Sequence, residues 1–235
     1  MGIEINPSEL VIDELDVLTG MLALGGLDII ELGCGAAQLA RNLVTHYPDS
    51  RVTGLEVDAR QHAKNIAAPQ AGLRFIAGVA EANPFSDASF DLALMLKSLH
   101  HVPLASMPQA LDEVARVLRP GGHLYVSEPV FGGEFNELIR LFNDEGTVRA
   151  AAQRALDTAH RSNAWVQVAD RRFDMPVVFA DFDDFENRMM RPTYADHRLD
   201  ADTITRVRTA FEQHLSSDGA HFLRPMHVRL LRRAE

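Results

Sequence analysis

From Leu27 to Pro129 the chain alternates between short apolar runs and stretches with apolar residues at helical spacing, and this alternation restricts the fold more than any other feature. The runs are LDIIEL (27–32), RVTGLEV (51–57), LRFIAG (73–78), FDLALML (90–96) and HLYVSEP (123–129). The first is short, apolar and bounded by glycines, as a buried strand is. The fourth is apolar enough to be covered on both faces, which is typical of parallel sheets. Between the runs, AAQLARNLVTHY puts Ala36, Leu39, Ala40, Leu43 and Tyr47 on one helical face before Pro48 closes it, and ARQHAKNIAA also reads as a helix. SMPQALDEVARVLRPGG is the clearest helix. Met107, Ala110, Leu111, Val114, Val117 and Leu118 form its inner stripe, Ser106 and Gln109 have the spacing of a capping box, and Pro120-Gly121-Gly122 stops it. Such alternation predicts a doubly wound α/β fold with a mostly parallel sheet, helices on both faces and right-handed crossovers.

Outside this stretch the pattern differs. Leu10, Val11, Leu15, Leu18 and Leu22 predict a helix over 8–24, ended by Gly25-Gly26. After Pro129, residues 133–161 read as two helical segments, FDMPVVFA as a strand, DADTITRVRTAFEQHL as a helix, and MHVRLLR as a last strand. One domain over 1–235 is expected, with an N-terminal helical cap (1–26), a core (27–129) and a helical insertion (133–165) where a lid would sit above the sheet. The acidic run DFDDFE at 181–186 reads as a solvated face beside Phe182 and Phe185.

Composition narrows the function classes. Acidic residues outnumber basic ones by 33 to 23, which argues against nucleic-acid or membrane-surface binding, since both need a positive face. Cys34 is the single cysteine, so no internal disulfide forms and a reducing cytoplasm is the natural setting. The N-terminus lacks a positive n-region, and the longest apolar stretch, MLALGGLDII, is too short for a bilayer and contains Asp28. Histidines are scattered without metal-ligand spacing, so no metal site is expected.

Gly33 and Gly35 follow the first apolar run, where a doubly wound sheet binds ligands beyond the carboxyl ends of its strands. Such glycines often only turn the chain. Here, however, Glu56 ends the second run 23 residues after Gly33, placed to accept hydrogen bonds from both hydroxyls of a ribose. Position 38 is Gln, which breaks the pyrophosphate fingerprint, and Glu31 suits a ligand bearing an ammonium or a sulfonium.

Four blocks, ELGCGAAQLA, VTGLEVD, AEANPFSDASFDLALMLKSLHHV and ALDEVARVLRPGGHLYVSEP, together resemble class I S-adenosylmethionine-dependent methyltransferases, nearest the ubiquinone/menaquinone-type and other small-molecule enzymes. The resemblance covers residues 27–129 and is not specific to a substrate. It implies a Rossmann-like, seven-stranded sheet with an antiparallel last strand at its edge, S-adenosyl-L-methionine as cofactor and S-adenosyl-L-homocysteine as product. It also implies that Glu31, Gly33 and Gly35 surround the methionine end, with Cys34 lending its backbone. Glu56 binds the ribose, and Val57 packs on the adenine. Val79, Ala80 and Glu81 line the adenine edge, and Leu96 and Lys97 flank the methionine and sulfur. Two positions depart from the family: Ala37 stands where a third glycine is common, and Val79 where an acidic residue often takes the adenine amino group.

Methyl transfer from a sulfonium is an in-line displacement that needs alignment above all, and a general base only where the acceptor must lose a proton. The candidates are His100 and His101 after the fourth run and Glu128 at the end of the fifth, each with a structural alternative: a loop imidazole satisfied by backbone, or a carboxylate capping a turn. Phe131, Phe135, Leu138, Phe142, Trp165 and Arg191 either pack a core or line an apolar acceptor pocket. The favoured function is methylation of a small-molecule acceptor. The alternatives are a non-catalytic S-adenosylmethionine-binding protein and a nicotinamide-dependent oxidoreductase, against which Gln38 and Glu31 speak.

Overall fold

The computed structural model describes residues 9–192, 197 and 199–235. The chain divides into two compact units, one of residues 13–128, 148–171 and 227–235, the other of residues 1–12, 129–147 and 172–226.

The first unit holds β1 (Asp28–Leu32), α2 (Gln38–His46), β2 (Arg51–Glu56), α3 (Ala59–Ala67), β3 (Leu73–Ala77), β4 (Phe90–Leu96) and α4 (Met107–Val117), after a short α1 (Glu14–Thr19). The strands β5 (Leu118–Pro129), β6 (Trp165–Phe179) and β8 (Gly219–Arg233) complete a sheet ordered β3-β2-β1-β4-β5-β8-β6, with the two-residue β7 (Leu215–Ser216) paired to β8. The strands from β3 to β5 run parallel, and the last strands antiparallel. Strand order reverses between β1 and β4, and the register sets Leu32 opposite Leu55 and Glu31 opposite Leu94. The carboxyl ends of β1, β2 and β4 therefore lie side by side at the switch point, where such sheets bind ligands.

The apolar periodicities become the core of this unit. Ile30, Leu32, Leu55, Ala93, Met95, Leu111, Val114, Leu124 and Val126 pack in one cluster with Leu156, Trp165 and Leu231. Leu156 comes from α6 (Gly146–Arg161), of which Gly146 and Thr147 count with the other unit.

Several expectations need correcting. The helix expected over 8–24 is helical only from Glu14 to Thr19, and residues 1–8 lie outside those described. Asp13 caps it by accepting from the Leu15 N–H at 2.9 Å, while upstream Leu10 forms an isolated bridge with Asp174 and the Val11 N–H donates to the Asp174 carbonyl at 2.9 Å. No capping box forms on α4. Ser106 makes no capping hydrogen bond, its backbone being already helical, and the Gln109 amide donates to the Glu81 carbonyl at 2.9 Å. Pro120-Gly121-Gly122 does not stop α4, which ends at Val117 and passes directly into β5, with Gly121 at φ +76°. Finally, the last strand is not at the sheet edge: β8 lies between β5 and β6, and β6 takes the edge.

The second unit contains Arg172–Phe179 of β6, Gly219–Met226 of β8, β7, α5 (Glu134–Ile139), α7 (Phe182–Phe185) and α8 (Ala201–Glu212). Its core is built on phenylalanine, with Phe179 and Phe185 ring centroids 5.1 Å apart edge-to-face, and Phe185 and Phe211 also 5.1 Å apart. In the acidic run, Phe182 and Phe185 point into this core. Asp181 caps α7 by accepting from the Asp184 N–H at 2.8 Å, and Asp183 is exposed. Phe135 and Leu138 belong to this core and Trp165 to that of the first unit. Arg191 makes a largely exposed ion pair with Glu186 at 2.6 Å. No helix among the described residues is long and apolar enough to cross a membrane.

Candidate cofactor site at the sheet switch point

Gly33 and Gly35 leave β1 at φ +68° and +52°, a region L side chains rarely adopt. A Cβ on Gly33 would lie 2.8 Å from the Ser98 Cβ, so only glycine fits there. A Cβ on Gly35 would meet nothing within 4 Å, so the backbone there is open to a neighbour. The Gly33 and Cys34 N–H groups both donate to the Leu55 carbonyl, at 2.9 and 3.1 Å, and the Ala37 N–H donates to the Cys34 carbonyl at 2.7 Å. The backbone of Cys34 is thus largely spent in holding the turn. Its thiol is buried against Gly54, and burial, with Glu31 and Glu56 adding to it, raises its pKa far above neutrality, so it is no nucleophile. A side chain at position 54 would displace that sulfur, since its Cβ would come 2.8 Å from it.

Glu56 ends β2 with its carboxylate folded toward the turn. One oxygen accepts from the Gly35 N–H at 2.7 Å and the other from the Asp58 N–H at 2.8 Å. Each oxygen keeps a second lone pair, enough for two ligand hydroxyls. Asn65, from α3, donates to the Gly35 carbonyl at 2.7 Å and fixes the far side of the turn. Val57, the next residue, is 67% exposed, an apolar face suited to a flat apolar ligand group. Val79, Ala80 and Glu81 are half-buried in the single turn after β3.

Glu31 is the most constrained group. It is buried, and its Oε2 has no hydrogen-bond partner. Burial pushes its pKa up to about 8, opposed first by the Lys97 ammonium and then by the Ala40 N–H in the first turn of α2, with Glu14 and Glu56 adding repulsion. Lys97 sits just past β4 at φ +55°, and Ala37 precedes α2 at φ +54°. Two non-glycine residues in left-handed backbone flank one turn, each a strain of about 1–3 kcal/mol of the sort that gathers at ligand sites. The Lys97 ammonium pairs with buried Glu14 of α1 at 3.0 Å, and the Tyr125 hydroxyl donates to the other Glu14 oxygen at 3.4 Å.

Leu96, half-buried, and Ser98, whose hydroxyl donates to the Leu32 carbonyl at 2.8 Å, complete this side. Beyond them a single turn carries Leu99, His100 and His101. Glu128 at the end of β5 is buried and engaged on both oxygens: one accepts from the Leu99 N–H at 2.9 Å and the other binds Nδ1 of buried His100. Glu128 thus holds both Leu99 and His100 of this turn. His101 is exposed, its ring centroid 4.1 Å from that of His100.

The structure thus gathers Glu31, Gly33, Cys34, Gly35, Glu56 and Lys97 about one turn, with Val57 beside Glu56. Sequence reasoning missed Glu14, Asn65, Ser98 and Gly54. Only Gly54 carried a signal, as a glycine inside a strand. A glycine turn framed by the carboxylates of Glu56 and buried Glu31 thus stands at the switch point of a parallel sheet, where α/β domains bind ligands.

Comparison with known proteins finds methyltransferases similar to part of the chain. Residues 30–126 match the methyltransferase domain family. The 27-O-demethylrifamycin SV methyltransferase of Amycolatopsis mediterranei is 37% identical over 119 residues, 48% of this chain and 43% of its own. The fatty-acid O-methyltransferase of Mycolicibacterium smegmatis is 36% identical over 139 residues, 56% of this chain and 47% of its own. Each matched segment spans less than half of these relatives. Among solved structures, the YcgJ protein of Bacillus subtilis superposes with a TM-score of 0.64 at 18% identity, covering 93% of this chain and 97% of that one, which is a likeness of fold. The likeness to the methyltransferase domain family thus covers residues 30–126 of this chain.

Proposed function

We propose that this protein transfers a methyl group from S-adenosyl-L-methionine to a hydroxyl or carboxyl oxygen of a small, largely apolar acceptor. The observation that carries the reading is the unpartnered, buried Oε2 of Glu31 beside the open backbone of Gly35 and the carboxylate of Glu56. These residues fit a cationic nucleoside and fit a pyrophosphate poorly. The class of acceptor comes from the relatives named above, which act on a rifamycin precursor and on fatty acids.

When bound, the cofactor supplies an already activated methyl group. The chain's own residues then hold and align. Glu31 faces the cationic end, Glu56 accepts the ribose hydroxyls on its remaining lone pairs, and Val57 covers one face of the adenine. Val79, Ala80 and Glu81 line the adenine edge, while Leu96 and Lys97 border the methionine end. Where the acceptor is a hydroxyl, His101 takes its proton on a ring nitrogen, and Glu128 fixes the loop by clamping His100. A reduced Cys34 accords with a cytoplasmic setting.

The test is transfer of labelled methyl from S-adenosyl-L-methionine to a panel of hydroxylated polyketides, long-chain fatty acids and hydroxylated lipids. Labelled ester or ether product is expected with at least one acceptor. Tight cofactor binding with no product across the panel would instead mark a non-catalytic binding protein.

A further inference from the structure

Around the Gly33–Gly35 turn the buried charges do not balance. Three buried carboxylates, Glu14 from α1, Glu31 from β1 and Glu56 from β2, face one ammonium, that of Lys97. Their partners are unequal. Both oxygens of Glu56 accept backbone N–H groups, and Glu14 holds Lys97 and the Tyr125 hydroxyl. Glu31 alone of the three keeps a buried oxygen without a partner. Arg41 acts on the Cys34 thiol and Arg171 on the Tyr125 phenol, both of which burial keeps neutral, while the charged groups that act on Glu31 itself are Lys97, Glu14 and Glu56, and the Ala40 N–H at the start of α2 adds only a dipole. A buried carboxylate with an unsatisfied oxygen and surplus negative charge around it is relieved either by a proton or by a cation.

We infer that Glu31 carries that proton in the free protein, and that a cationic ligand seated on the turn takes its place and expels it. The inference rests on the cofactor reading above and goes beyond it, because it makes cofactor binding a proton-releasing step. The balance is simple: the Glu31 carboxylic acid becomes a carboxylate, the proton passes to the buffer, and the ligand's positive charge replaces it. The raised pKa of Glu31, about 8, accords with this assignment. Lys97 has a defined part. Held by Glu14, it lowers the pKa of Glu31 without satisfying its Oε2, so the acid stays within reach of ionisation near neutral pH.

The experiment is calorimetric titration of the full chain with S-adenosyl-L-methionine, at pH 6.5 and pH 9.5, in buffers of low and high ionisation enthalpy. Glu31→Gln is titrated in parallel to subtract any proton the ligand itself exchanges. The expected difference between wild type and variant is about one proton released at pH 6.5, falling toward zero at pH 9.5, as proton linkage requires. Equal proton counts for the two proteins at pH 6.5 would overturn the inference while leaving the cofactor reading standing. Absence of any binding heat with the wild type would remove that reading and this inference together. Should Glu31→Gln fail to fold or to bind, infrared difference spectra of the wild type decide. A protonated-carboxyl band at pH 6.5 that disappears on adding S-adenosyl-L-methionine is expected, and a band unchanged by the ligand would refute the proposal.

Discussion

Replacing Glu31 by glutamine changes how the stability of the sheet unit depends on pH, and the size of the effect follows from the burial of that one side chain. In the folded chain the Glu31 carboxyl holds its proton up to about pH 8, against an ordinary value of 4.5. Between these values the folded state binds one more proton than the unfolded state at this position. The stability conferred by that proton is complete below the unfolded value and is lost as pH rises toward the folded one. One proton of difference is worth 1.36 kcal/mol per pH unit, so raising the pH from about 5.5 to about 7.5 should lower wild-type stability by roughly 3 kcal/mol relative to Glu31→Gln. The chain reports on this directly. Its one tryptophan, Trp165, is buried in the same core cluster as Ile30 and Leu32, which flank Glu31. Urea unfolding followed by Trp165 fluorescence at three pH values, for both proteins, measures the difference, and the other titrating groups cancel. A stability difference that stays constant over this range, or grows with pH, would refute the reasoning.

Three further outcomes follow from the same geometry. Gly33→Ala forces a side chain onto φ +68° with its Cβ 2.8 Å from that of Ser98, so urea titration should show a loss of about 2–4 kcal/mol, and calorimetry weaker cofactor binding. Ala37→Gly relieves left-handed strain of about 1–2 kcal/mol but gains chain entropy in the unfolded state, so stability should rise by about 0.5 kcal/mol; a loss beyond about 1 kcal/mol would contradict the strain assigned to this residue. With a hydroxyl acceptor, His101→Ala should lower kcat by about 100-fold with cofactor affinity little changed, and an unchanged kcat would exclude His101 as the base.

Periodicity exposed the parts of the fold that depend on local chemistry. The five runs between Leu27 and Pro129 became β1 to β5; β1, β2 and β4 are buried almost throughout, whereas β3, at the sheet edge, is half-buried and was legible from its short apolar run alone. Glu31, Gly33, Gly35 and Glu56 stood out because two glycines and two carboxylates coincide at the ends of two successive apolar runs, although such glycines alone often only turn the chain. What stayed hidden depends on partners distant in sequence. Glu14 looks like any acid in a helical first turn until Lys97 and Tyr125 meet it across more than 80 residues. Gln109 has capping-box spacing, yet its amide goes to Glu81. The place of β8 inside the sheet depends on which strand pairs with it, and alternation within MHVRLLR carries no such information. Glu128 offered itself as a base because a strand-end carboxylate faces the site, but only the fold brings Leu99 and His100 against both of its oxygens.

The central claim is that the Gly33–Gly35 turn holds a cationic nucleoside between Glu31 and Glu56. Calorimetry of the wild type and of Glu56→Ala, titrated with S-adenosyl-L-methionine and with NAD, tests it most directly. Saturable heat with the sulfonium nucleoside, reduced at least tenfold in affinity by Glu56→Ala and absent with NAD, is the predicted result. Saturable binding of NAD together with no heat from the sulfonium nucleoside would contradict it.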